Sequence, residues 1–172
     1  MSQVWSEINK VVNVIPPASQ TGTTGATVTS DIVNMENYKR LTFIVQTGTS
    51  GANTPTITVY AGETSTGATT AIAYKYRTQC LTTNTSASGD TPSELTDADS
   101  DGFAITTSIT GGCYIIEVDP STVAAADTSD QTYDHVKLVL TNSGTAAAQL
   151  YGVLAILSEP RYPQDVLQTA ID

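Results

Sequence analysis

The sequence predicts an all-β protein: an antiparallel β-sandwich, jelly-roll-like, of about eight strands, with extended arms at both ends. Three observations predict it. Thr supplies 30 of 172 residues, and Thr and Val suit pleated surfaces. Short alternating runs recur, each closed by Gly, Asn, Ser or Pro about every 8–12 residues. The third is a stretch near the C-terminal end, Tyr133 to Ser158, that reads as two long arms. Tyr133 to Asn142 alternates, with Val136, Leu138 and Leu140 on one side, Gln149 to Ser158 is apolar on both faces, and Ser143 to Ala148 supplies a turn. This pair is expected to form a hairpin at the centre of a sheet.

In chain order, residues 1–25 read as an N-terminal arm and linker, 26–158 as the sandwich domain and 159–172 as an extended tail. Val11 to Ile15 alternates as an edge strand would, and Pro16-Pro17 is expected to end it. Strands are expected over Ala26 to Val33, Tyr38 to Thr47, Thr56 to Ala61, Thr70 to Arg77, Phe103 to Ile109 and Cys113 to Val118. Thr78 to Asp101 shows no strand or helix period and reads as a long loop, functional, mobile or an interaction surface. Val123 to Gln131 reads as a second loop. The tail carries two prolines with Tyr162, Val166 and Leu167 spaced between polar residues. Two readings stand for it: docking along a neighbouring subunit, or folding back over its own sheet edge.

Net charge is −10, which disfavours a general nucleic-acid binder and, on the same ground, binding to anionic membranes. No apolar run approaches the roughly 20 residues of a membrane span, and the opening residues lack a secretory pattern. Cytoplasmic synthesis is the expectation, with Cys80 and Cys113 reduced; a disulfide between them is the alternative in an oxidising setting.

Catalysis is poorly supplied, so no enzyme is expected. His135 is the one histidine and reads as a half-exposed strand residue. Neither a serine elbow nor a phosphate-cradling Gly-Lys motif accompanies it. Three His and Cys residues in the whole chain leave zinc without a ligand set, and no cofactor is expected. Asp97, Asp99 and Asp101 before Gly102 resemble the first half of a calcium loop, with Asp90 or Glu94 as helpers. Ser108 stands where the bidentate Glu would be needed, so a solvated acidic loop is the competing reading. Tyr60, Tyr74 and Tyr76 are a candidate stacking platform for sugars.

Several stretches resemble a known family. Asn37 to Gly48 (NYKRLTFIVQTG), Ala71 to Arg77, Tyr114 to Asp119, Val136 to Thr141, and Ala155 to Tyr162 with Gln168 to Ile171 are similar to strand patterns of tailed-bacteriophage head decoration (cement) proteins. The resemblance covers about residues 25 to 172. It implies a homotrimer made in the host cytoplasm that sits on the capsid exterior, binds the major capsid protein and stabilises the head. The resemblance gives the acidic run no role. The arms then become contact candidates: Trp5, Val12 and Val14 at one end, Tyr162, Val166 and Leu167 at the other. The N-terminal arm is expected to touch the capsid, so deleting Met1 to Pro17 should abolish capsid binding and spare the trimer. A tail or neck adaptor is the runner-up, and a carbohydrate-binding module the third class.

Overall fold

The computed structural model describes residues 4–22, 25–48, 54–79, 91–105, 111–128, 132–143, 146–161 and 169–171. A single helical turn, α1 (Trp5–Ile8), leads into β1 (Asn9–Gly22). There follow β2 (Thr27–Thr29), β3 (Val33–Asn34), β4 (Tyr38–Thr47), β5 (Thr56–Gly62), β6 (Thr70–Ile72) and β7 (Tyr74–Gln79). The chain continues with β8 (Thr96–Ala98), β9 (Phe103–Ala104), β10 (Cys113–Val118), the short helix α2 (Pro120–Ala125), β11 (His135–Thr141) and β12 (Ala146–Pro160). Two antiparallel sheets result. The first has the order β1-β12-β4-β10-β7-β8; the second has β2-β11-β5-β6, with β3 on β11 and β9 on β5.

The pairing identifies the architecture. β1 pairs with β12 in the first sheet, β2 with β11 in the second, β4 with β10 in the first, and β5 with β6 in the second. First meets last, second meets next-to-last, and the sheets alternate. This is an antiparallel ribbon rolled on itself, the jelly roll. Alternation drives it. Leu41, Phe43 and Val45 of β4 point inward with Tyr114 and Ile116 of β10, and they meet Ile57, Val59, Leu138 and Leu140 from the other sheet. Each fully buried aliphatic side chain contributes about 1.5–3 kcal/mol.

Several expectations change. The two arms of the proposed C-terminal hairpin do not pair with each other. β11 lies between β2 and β5, whereas β12 lies in the opposite sheet between β1 and β4. Apolar patterning marked both as central strands but carries no partner information, and the link between them crosses from sheet to sheet.

The N-terminal arm is a body strand over residues 9–22. Pro16-Pro17 does not end it. The register slips between Ile15 and Ala18, and the strand continues to Gly22. An edge strand tolerates prolines because one side of its ladder needs no donor. The predicted strand over Thr70 to Arg77 bends at Ala73, leaving β6 in the second sheet and β7 in the first. Ala26 to Val33 likewise divides into two short strands on β11.

Within the predicted loop 78–101, Thr96–Ala98 adds a strand to β7. The second predicted loop, 123–131, opens inside α2: Asp119 caps that helix by accepting from the Ser121 N–H, Pro120 fits its first position, and it runs to Ala125. The tail starts late, since Glu159 and Pro160 belong to β12. Its end returns to the body, where the Asn34 N–H donates to the Ala170 carbonyl and Ala170 is buried.

Candidate functional site

The outer face of the first sheet presents a row of apolar side chains. Leu41, Phe43, Val153, Ala155 and Tyr114 fill the inner face, so their strand neighbours point out. Register places Val11, Ile156, Thr42 and Glu117 in one row and Asn13, Leu154, Ile44 and Ile115 in the next. Val11 is 47% exposed, while Leu154, Ile156, Ile44 and Ile115 are half-buried. The stripe crosses four strands, about 15 Å at the usual strand spacing. Toward β7 and β8 the face becomes charged, with Lys75 on Asp97 and Arg77 donating to the Ser93 carbonyl at 2.8 Å.

Two concavities flank the stripe. Near α2 lies an open cleft of about 550 Å³ lined by Lys39, Arg40, Lys75, Glu117, Asp119 and Glu159, among others. Several of its charges have local partners, Lys75 on Asp97 among them. Arg40 meets Glu159 at 2.7 Å with both side chains exposed, a contact worth at most about 1 kcal/mol. Asp119 is held below the usual carboxylate range by the Ser121 hydroxyl and N–H that donate to it.

The second cleft, about 380 Å³, lies at the opposite end of the sheet. Its walls include Pro17, Gln46, Leu150 and Cys113, and glycines 48, 111, 112 and 152 line the remainder. The backbones crowd here. A Cβ at Gly48 would fall 2.7 Å from Leu150 Cβ, and one at Gly152 would fall 3.1 Å from Pro17 Cγ. Among the described residues, no carboxylate, ammonium or guanidinium lines it.

The residues singled out in the sequence are scattered. Asp97 pairs with Lys75. Asp99 accepts from the Asp101 N–H at 3.0 Å and forms the turn from β8 to β9. Gly102 completes that turn at φ +91°, where a Cβ would meet the Ile57 carbonyl oxygen at 2.2 Å. The spacing that resembled a calcium loop therefore serves a tight turn. Among the described residues no three of His, Cys, Asp and Glu are grouped to hold a metal ion; Asp90 lies outside the described residues.

His135 is buried rather than half-exposed, at the start of β11 against Asp134. The tyrosines form no common platform. Tyr60 lies under Lys137, Tyr76 stacks on Phe103 at 4.1 Å, and Tyr74 is core. The Tyr74 hydroxyl donates to the Ile57 carbonyl at 2.7 Å and accepts from the Phe103 N–H at 3.0 Å, tying the sheets together. Burial pushes its ionisation well above the usual tyrosine value.

Of the contact candidates, Val12 and Val14 are buried beneath the chain's own sheet. That corrects their assignment, because β1 spends its alternating face on its own core. Tyr162, Val166 and Leu167, like Cys80, lie outside the described residues. Trp5 remains, 55% exposed on α1 beside Val4, which is 61% exposed. The turn that carries it is firmly tied. Val4 N–H donates to the Glu7 carboxylate at 2.8 Å, Glu7 N–H to the Val4 carbonyl at 2.9 Å, and the Asn9 side chain to the Trp5 carbonyl at 2.9 Å. Sequence reading missed the glycine cleft, which four separate segments assemble.

No family model and no curated protein matches the chain. Among solved structures, a chain from "Structure of infectious bursal disease virus Gt strain" is similar at 13% identity with a TM-score of 0.28, over 88% of this chain and 40% of that one. This chain thus spans less than half the length of the viral chain it matches.

Proposed function

We propose that this is a non-catalytic structural virion protein, a bacteriophage head decoration protein that binds the outer surface of the major capsid lattice and stabilises it. The apolar stripe of Val11, Ile44, Ile115, Leu154 and Ile156 carries the reading. A flat apolar band across four strands, bordered by charge, is the composition of a protein-docking surface with a polar rim. The jelly-roll body supplies rigidity, and the strand patterns that resemble head decoration proteins lie largely in that body. The docking element is the sheet face rather than a loose arm, since residues 9–22 are woven into the body.

The test is copy number per purified particle, by quantitative mass spectrometry against the major capsid protein. A lattice protein is present at hundreds of copies, a count set by assembly symmetry. About a dozen copies would place the chain in the neck or tail instead. Absence from particles would overturn the reading.

A further inference from the structure

Arg77 of β7 closes the row that runs through Asn13, Leu154, Ile44 and Ile115. It lies directly opposite Ile115 in register, so both side chains stand on the outer face of the first sheet. Lys75, two residues earlier on the same strand, stands in the neighbouring row between Glu117 of β10 and Asp97 of β8. The two cations share a face but not a setting. Lys75 pairs with Asp97 and has a second carboxylate on its other side. Arg77 has Ile115 on one side, and its Nη1 donates to the Ser93 carbonyl at 2.8 Å. Among the described residues no carboxylate pairs with it. We infer that Arg77 is the charged anchor of the docking face and takes a carboxylate, an Asp or Glu side chain, from the protein that covers the stripe.

Charge, burial and order support this partner chemistry. Carboxylates outnumber Lys and Arg seventeen to seven in the chain, so Arg77 is not left unpaired for want of acid. It is half-buried at the end of an apolar row, where an ion pair is screened less than one in open water. The Ser93 carbonyl occupies only part of the guanidinium fork, and the donors that remain suit the two oxygens of a carboxylate. That same bond holds the side chain in place before contact, so little ordering cost remains. Arginine is among the side chains that most often anchor interfaces. Apolar area alone does not say which way round a partner lies, whereas a carboxylate required at the β7 end of the row does. The inference rests on the docking reading above and names the charge that the partner must present.

The test uses the full chain and virus particles produced without it, with binding read by co-sedimentation and folding of each variant checked by calorimetry. Leu154→Glu, in the middle of the row, reports on the docking reading itself and should abolish binding. Arg77→Gln should weaken binding by about 30-fold or more. Arg77→Lys should recover part of that loss, because it keeps the charge and gives up the fork. Lys137→Gln, on the opposite sheet, should bind like the wild type.

A second readout identifies the partner group directly. The Arg77→Lys chain, bound to particles and treated with a zero-length carbodiimide, should form an amide from position 77 to an Asp or Glu of the capsid, located by mass spectrometry. Should Arg77→Gln fail to fold, this cross-link decides alone. Loss of binding in Leu154→Glu with full binding in Arg77→Gln, or a bound Arg77→Lys chain that gives no cross-link through position 77, overturns the anchor and leaves the docking face standing. Full binding by Leu154→Glu, or none by the wild-type chain, removes the docking reading and the anchor with it.

Discussion

Tyr74 and Tyr114 are buried to similar depth, yet their hydroxyls are in opposite situations. Tyr74, on the first sheet, holds an acceptor on β5 and a donor on β9, both in the second sheet. The Tyr114 hydroxyl, like those of Tyr38 and Tyr151, has no hydrogen-bond partner among the described residues. Tyr74→Phe leaves two buried backbone groups unpaired and should cost about 1–3 kcal/mol. In a chain of this length that lowers Tm by several degrees in a calorimetric scan. Tyr114→Phe should cost under about 1 kcal/mol, since no bond is lost.

The same burial has a pH signature. Desolvation pushes Tyr114 and Tyr151 up to about 12 from the ordinary value of 10. Raised folded-state values favour the neutral form, so their stabilisation is complete below pH 10 and is lost as pH rises toward 12. Urea midpoints should hold steady up to pH 10 and then fall, less steeply in a Tyr114→Phe, Tyr151→Phe double variant. Calcium makes a third case. Asp97 and Asp99 already hold Lys75 and a turn N–H, so millimolar calcium should leave Tm unchanged. A rise of several degrees would show a bound ion.

Among elements, β1 bears the clearest prediction. Val12, Val14 and Ile15 are each under a tenth exposed, and the strand covers the whole flank of β12. Deleting residues 1–17 should therefore destabilise the body by several kcal/mol in chemical denaturation. It should also promote aggregation through the bared β12 edge. A freely attached arm would give neither effect.

The elements also show what was legible in the sequence. β4 and β10 match their predicted bounds because alternation runs unbroken and each has buried partners on both sides. β8 was hidden because only one of its three residues, Ala98, is apolar. The bend at Ala73 was invisible because Ile72, Tyr74 and Tyr76 keep their period through a change of sheet. α2 was readable in principle from Asp119, Pro120 and Ser121, an N-cap followed by proline. Trp5 was legible as a contact candidate and is exposed, whereas Val12 and Val14, singled out with it, are buried. The open cleft at Pro17, Gln46, Cys113 and Leu150 was not legible, because residues from four separate segments, several of them glycines, assemble it.

Across the whole molecule, jelly-roll closure and net charge act together. Charge of −10 spread over the surface keeps separate molecules apart, and added salt screens it. Self-association should strengthen as ionic strength rises from about 0.01 to 0.15 M, readable as an earlier mass increase in sedimentation. A contact made mainly by charge pairs would respond in the opposite sense.

The pairing of β12 between β1 and β4 has a further consequence. Two strands made early flank a slot that the last strand fills. On the ribosome, the growing chain carries that slot open until residue 160 has emerged. A chain cut short keeps two bare edges and is fit for proteolysis or aggregation rather than assembly. Emergence of residues 146–160 is thus the event that closes the gap between β1 and β4 in the first sheet.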